Sequence, residues 1–342
     1  MKYLFPAPPG SPEWGEFGAA KYLISEFSTA KYPISLSPLP PFGGAGGGLG
    51  TVGFFDGVHA GHRFLIKQLK ELAASEGLPS VVITFRQHPQ SVLQAGYKSA
   101  LLTTPDEKLN LLAALDIDFC YVIDFTKELS QLSARDFISD VLCKQLCVKQ
   151  LLIGYDHRFG KNRAEGFSDY VKYGRDCGLK VVQASELPGF AGHVGSTLIR
   201  QQLTEGRTEE ANRLLTYSYS LEGTVIEGDK TGRRIGFPTA NLDVNDKNKI
   251  IPKEGIYAVW VYTGTAKYQG MAYIGKRPTV VSDGEQRMEV HIFDFSGDLY
   301  GKTLRMEFVK FLREDQSFNG LSGLKAQLLI DKENAVKELS QY

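Results

Sequence analysis

Apolar and polar positions follow no period at the start of the chain, and then follow two different ones. The first fifty residues hold eight prolines and nine glycines and end in FGGAGGGLG. Such a composition resists regular structure, so residues 1–48 are expected to form an irregular extension. From Thr51 onward, short β-branched and aromatic runs alternate with stretches of helical period. The runs are TVGFF (51–55), SVVITF (80–85), FCYVIDF (119–125), VKQLLIG (148–154) and LKVVQA (179–184). This alternation predicts an α/β domain with a parallel sheet. The helices between carry their own punctuation. From His62 to Glu76, Leu65, Leu69 and Leu72 share one face before Gly77 and Pro79 end it. Thr104-Pro105-Asp106-Glu107 reads as a capping box with proline at the first helical position, and Ser133 opens another helix in the same way. Short helices are also expected from Ser196 to Thr204 and from Thr208 to Leu215.

Near Tyr217 the pattern becomes strand-like throughout: GTVIEG, TANLDV, GIYAVWVYTG, YQGMAYIG, RMEVHIFDF and KTLRMEFVKFL. Six such runs in roughly a hundred residues predict a small closed antiparallel barrel, with the amphipathic stretch Leu321 to Leu339 as a terminal helix. There is no internal repeat, so 49–216 and 217–342 are read as different domains. A length of 342 residues suits two domains of about 100 to 200 residues each.

Composition narrows the function classes. Lys+Arg 39 against Asp+Glu 39 leaves no net positive field, which argues against a protein whose main work is gripping nucleic-acid phosphates. No apolar run approaches the roughly 18 residues of a membrane helix, and MKYLFPAPPG lacks the apolar core of a secretory signal. Cys120, Cys143, Cys147 and Cys177 have no C-x-x-C spacing, so neither a disulfide framework nor a zinc knuckle is expected. Cys143 and Cys147, one helical turn apart, are read as packing residues. The expectation is a soluble protein of the reducing cytoplasm, with no nucleic-acid or membrane partner.

Two constellations carry chemistry. In the first, strand TVGFF runs through Gly53, Phe54, Asp56, Gly57, His59 and His62 into a helix. Glycines let backbone approach an anion, and a helix N-terminus offers unpaired N–H groups and the positive end of its dipole. His59 and His62 can both donate to one phosphate chain. A bare H-x-x-H pair is more often structural, and its place at a strand-to-helix crossing is what favours function here. No nearby carboxylate or cysteine cluster completes a tetrahedral metal site. Gly48, Gly50 and Gly53 match the dinucleotide fingerprint by letter, but that motif must follow a strand and this one stands before it.

In the second, GTVIEGDKTGRRIGFPTAN (223–241) suits a flap over polyphosphate. Beyond Gly236, Pro238 stiffens the turn that presents Thr239 and Asn241. Their oxygens suit Mg²⁺, which is held by few protein ligands plus nucleotide phosphates. Alternation along Arg287 to Phe293 places Glu289, His291 and Phe293 on one face and Met288, Val290 and Ile292 on the other. A carboxylate so placed on a barrel wall can take the proton of a primary hydroxyl as it meets a γ-phosphate.

From Thr51 to the C-terminus the chain resembles the prokaryotic bifunctional riboflavin kinase/FMN adenylyltransferases, also called FAD synthetases. The resemblance rests on GFFDGVHAGH, TFRQHP, LLTTPDEKLNLL, LSARDFI, IGYDHRFGKNRAEG and GSTLIRQQLTEGRTEEANRLL. It continues through IGFPTANL, PKEGIYAVWV, IGKRPT, EVHIFDF, DLYGK and FLREDQSFNGLSGLKAQL. It implies a Rossmann-like nucleotidyltransferase domain followed by a six-stranded antiparallel kinase barrel with a terminal helix. The implied reactions are riboflavin plus ATP to FMN and ADP, then FMN plus ATP to FAD and pyrophosphate. By resemblance, His59, His62, Ser196, Thr197 and Arg200 contact the ATP phosphates, and Gly53, Phe54, Asp56 and Gly57 belong to that site. Asp156 helps hold nucleotide or flavin, Thr239 and Asn241 hold Mg-ATP, and Glu289 is the base. Taken alone, Ser196 would be an ordinary N-cap. The chain departs from the family in having Gly195 for a serine, His157 for a common Phe, Tyr273 for a common Asn, and a glycine-rich lead-in to its first strand. Two other readings stay open: a riboflavin kinase with an impaired adenylyltransferase domain, and a flavin- or nucleotide-binding module without turnover.

Overall fold

The computed structural model describes residues 21–24, 47–94, 100–189, 194–228, 231–276 and 286–341. They fall into two compact units. One holds 21–24, 47–94 and 103–189, and the other holds 100–102 and the residues from Val194 on.

The first unit is built on a six-stranded parallel sheet in the order β1-β4-β3-β2-β5-β6. Its strands are β1 (Lys21–Ile24), β2 (Gly48–Val52), β3 (Ser80–Phe85), β4 (Phe119–Ile123), β5 (Val148–Ile153) and β6 (Lys180–Gln183). Alternate residues of one strand serve two cores, as a sheet covered on both faces requires. Val81, Ile83, Tyr121, Ile123, Leu151 and Ile153 join Phe137, Val141, Leu142 and Tyr170 on one face. Val82, Cys120, Val122 and Leu152 join Ile66, Leu69 and Leu112 on the other. The expected helices appear as Ala60–Glu76 and Pro105–Ala113. Thr104 and Glu107 close the capping box by bonds of 2.9 and 3.2 Å, and Ser133 caps at Asp136 N.

Three features correct the sequence reading. Lys21–Ile24 is a strand within the extension expected to be irregular. Pairing in parallel with β4 gives its backbone groups partners that composition does not reveal. Residues 1–20 and 25–46 of that extension lie outside the described residues. Next, β2 begins at Gly48, so the G-x-G-x-x-G run lies largely inside the strand instead of before it. The strand pairs with β3 on one side and β5 on the other. A Cβ on Gly50 would sit 3.3 Å from Val148 Cγ1 and 3.5 Å from Ile83 Cδ1, so neighbouring side chains already fill the space above it. Last, Cys143 and Cys177 form a disulfide across 34 residues. Helical segments Phe137–Gln145 and Phe167–Cys177 cover the same sheet face, and local spacing cannot report a pairing made by tertiary packing. Cys120 is buried and free, and Cys147 is exposed.

The second unit contains a closed antiparallel barrel in the order β10-β11-β8-β7-β12-β9. Its strands are β7 (Ser220–Ile226), β8 (Ala240–Val244), β9 (Gly255–Thr263), β10 (Ala266–Lys276), β11 (Gln286–Ile292) and β12 (Thr303–Arg313). Helices Ser196–Thr204 and Thr208–Leu215 precede it, and Gly320–Leu339 follows it. The terminal helix buries Ala335 and Leu339 against Ala258, Met271, Phe293 and Val309.

Candidate active sites

The chain passes from β2 to β3 to β4 toward one side of the parallel sheet, and then places β5 on the other side of β2. Open parallel sheets bind ligands beyond the carboxyl ends of strands where the order reverses. The loops leaving that point are Gly53 to His62 after β2 and Gly154 to Gly160 after β5. They carry His59, His62, Asp156 and His157.

The first loop is rigid for reasons legible in its residues. Gly53 has the Phe55 ring 2.8 to 3.1 Å from where a Cβ would sit, so a side chain there would have to displace that ring. Gly57 takes φ 78°, and Phe55 and Val58 are also left-handed, a conformation glycine adopts freely and the other two hold under tertiary constraint. Asp56, 3% exposed, accepts from Thr103 N (3.1 Å) and Thr103 Oγ1 (3.2 Å). Gly57 N donates to the same threonine oxygen at 3.1 Å. Thr103, which the sequence reading did not single out, therefore pins the turn, and in this structure Asp56 serves loop geometry.

His59 is the N-cap of helix Ala60–Glu76, its Nδ1 accepting from His62 N at 3.4 Å. A neutral His59 then carries its proton on Nε2. The two rings stack at 3.6 Å, and Phe55 meets His62 edge-on at 5.1 Å. Burial, followed by His59, His157 and Lys108, holds His62 well below the usual histidine range. His62 thus meets an incoming anion as a neutral ring, and the anion's charge raises its affinity for a proton.

Lys108 was also missed. It is 2% exposed, donates to Phe85 O at 2.6 Å and lies 4.1 Å from the centre of the Phe54 ring. Burial pulls its ammonium down to about 8, against the attraction of Asp56. Because the folded protein releases this proton before the unfolded chain does, stability rises with pH between about 8 and 10.5. Relative to Lys108→Met, the wild type should gain about 3 kcal/mol across that window. Urea unfolding of both proteins at the two ends measures it, and a pH-independent difference would contradict the assignment.

Asp156 is exposed in the loop after β5. Ser196, Thr197 and Arg200 lie in the second unit, on helix Ser196–Thr204. Its N-cap is Gly195, without a side-chain bond, so Ser196 is the first helical residue and not the cap. Arg200 Nε donates to Ala100 O at 2.5 Å within that unit.

On the barrel, ladder register gathers the predicted residues. Glu289 of β11 stands opposite Asn241 of β8 and opposite Tyr273 of β10. Thr239 Oγ1 donates to Glu289 Oε2 at 2.7 Å, and Arg287 Nε pairs with Oε1. The Glu289 side chain is 16% exposed. His291 Nδ1 lies 2.7 Å from Pro238 O, tying the turn to the same strand. Gly236 takes φ 88°, and a Cβ on Gly228 would strike the Asn241 amide. Tyr273 Oη donates to Asp315 Oδ2 at 2.8 Å, and burial with that carboxylate pushes its phenol up to about 12. Arg287 and Asp315 stand in runs the sequence reading quoted but were given no role there, because the partner of an ion pair or hydrogen bond leaves no spacing signature.

The FAD synthetase family model matches residues 46–198 and the riboflavin kinase model residues 215–339. The bifunctional riboflavin kinase/FMN adenylyltransferase of Listeria monocytogenes is 40% identical over 83% of this chain and 90% of its own. Those of Escherichia coli K12 and Bacillus subtilis are 37% and 34% identical, over 82% and 85% of this chain and 90% and 92% of theirs. A crystal structure described as a macrolide-efflux protein from Streptococcus pneumoniae superposes with TM-score 0.77 at 32% identity, covering 85% of this chain and 94% of that one. Among the described residues, no helix is long and apolar enough to cross a membrane. With the loops of one match at the switch point of a parallel sheet and the motifs of the other on a closed barrel, the chain belongs to the bifunctional riboflavin kinase/FMN adenylyltransferase family.

Proposed function

We propose that the two activities run on separate residue sets, with the kinase in residues 217–342 and adenylyl transfer in residues 49–216. The observation that carries the kinase half is Glu289 held by Thr239 and Arg287 and set opposite Asn241. The riboflavin primary hydroxyl gives its proton to Glu289 as its oxygen attacks the γ-phosphorus of ATP, and ADP leaves. Thr239 and Arg287 fix the carboxylate so that one oxygen direction faces the hydroxyl. The oxygens of Thr239 and Asn241, with room left by Gly228, suit Mg²⁺ completed by nucleotide phosphates. When bound, the ion supplies neutralisation of charge on the transferred phosphoryl group.

In adenylyl transfer the FMN phosphate attacks the α-phosphorus of ATP and pyrophosphate departs. His59 Nε2–H and the His62 ring meet the departing charge. The loop glycines bring backbone close to it, and Ser196, Thr197 and Arg200 also act on the phosphates. Gly53, Phe54 and Asp156 complete the nucleotide contacts. β2 pairs with β3 and β5 on its two sides, with a register shift between Gly48 and Leu49, which supports a working sheet in this half. Both reactions draw on ATP, in keeping with the cytoplasmic setting expected from the sequence. Incubation with riboflavin, Mg²⁺ and ATP should yield FMN and then FAD on separation of the flavins. Failure to form FAD from excess FMN and ATP would overturn the adenylyl half alone.

A further inference from the structure

His157 leaves the carboxyl end of β5, beside β2 at the reversal of strand order. Its N–H bonds Gly154 O at 3.1 Å. His157 Cβ and Leu65 Cδ2 lie 3.5 and 3.7 Å from the point where a Gly154 side chain would begin. Leu65 is three residues beyond His62 on the same helix, so His157 packs toward the helix face that carries His62. Nε2 of His157 and Nδ1 of His62 are both buried without a hydrogen-bond partner. Two such nitrogens, on the loop and the helix that leave the switch point, call for a polar ligand.

We propose that His157 is a third imidazole of the phosphate site, acting with His59 and His62 on the polyphosphate of the nucleotide or the pyrophosphate product. This rests on the adenylyl-transfer reading of that site. Burial and Arg163 bring His157 down to about 4 against Asp156, while His59, His157 and Lys108 add to burial in lowering His62. His62 and His157 are therefore neutral near neutral pH, and a polyanion raises their proton affinity. Binding then draws roughly one proton from solution.

Titration calorimetry of the full chain with pyrophosphate, near pH 6.5 in two buffers of different ionisation enthalpy, tests this. The difference between proteins cancels the titration of pyrophosphate itself. His157→Phe keeps the aromatic volume, and should weaken binding roughly tenfold and remove about half or more of the proton uptake. His157→Gln, which can donate but cannot be protonated near neutral pH, should recover affinity without recovering uptake. A wild-type urea-unfolding midpoint for the unit that holds His157 certifies that either variant is folded. Equal affinity and equal uptake in wild type and His157→Phe would overturn the inference and leave the adenylyl site standing. Absence of pyrophosphate binding by the wild type would remove the adenylyl-site reading itself.

Discussion

Glu289→Gln should lower FMN formation from riboflavin by about 10²- to 10⁴-fold, the usual contribution of a positioned general base, while FAD formation from supplied FMN stays at the wild-type rate. The amide keeps the size of the carboxylate but cannot accept the hydroxyl proton. Thr239 can still donate to the amide oxygen, so the turn bearing Thr239 and Asn241 should hold its place and the KM for ATP should change little. Arg287 loses its anionic partner, a second reason for kcat to fall, since its pairing now orients the carboxylate. Separate flavin quantification for each half reaction decides the matter. Loss of both activities in a folded protein would contradict separate sites, and retention of both would remove Glu289 as the base.

The parts of this architecture legible in the sequence were those where local chemistry and global fold agree. SVVITF and VKQLLIG read as strands of a parallel sheet and are so, and the Thr104 capping box forms with both of its bonds. Barrel runs and the terminal helix appear within a few residues of their expected limits. The failures have one physical origin, which is that tertiary partners supply what composition lacks. GLGTV is a central strand because Val148 and Ile83 fill the space above Gly50, and propensity disfavours glycine there. Thr103 and Lys108 gain their roles from a loop about fifty residues earlier and a neighbouring strand end, and Cys143 meets Cys177 through packed helices. Of the site, the motif residues that share a loop or a ladder were legible together: His59 with His62, and Thr239 with Asn241 and Glu289. The residues that hold them, Arg287, Thr103 and Lys108, were not, because a supporting role leaves no spacing signature.

His59→Ala and His62→Ala should each cut FAD formation from FMN by about 10²- to 10³-fold, the range for removing one preorganised donor from developing negative charge, with FMN formation untouched. The two losses should not be equivalent. His59 accepts the His62 N–H and caps the helix, so its removal also frees an N-terminal amide and shifts the ring stacked on it at 3.6 Å. Part of the effect of His59→Ala should therefore be a loss of stability of about 1 kcal/mol, visible in urea unfolding. His62→Ala removes a buried ring without touching that cap. Because each ring places the other, the double variant should lose less than the product of the single losses. Multiplicative losses would mean that the rings act independently despite their contact. Unchanged ratios of FAD to FMN in both single variants would assign catalysis in this half to other residues. The stacked, cap-anchored geometry argues against that result: a donor pair held at the switch point by Gly53, Thr103 and its own helix is already arranged to meet a departing pyrophosphate.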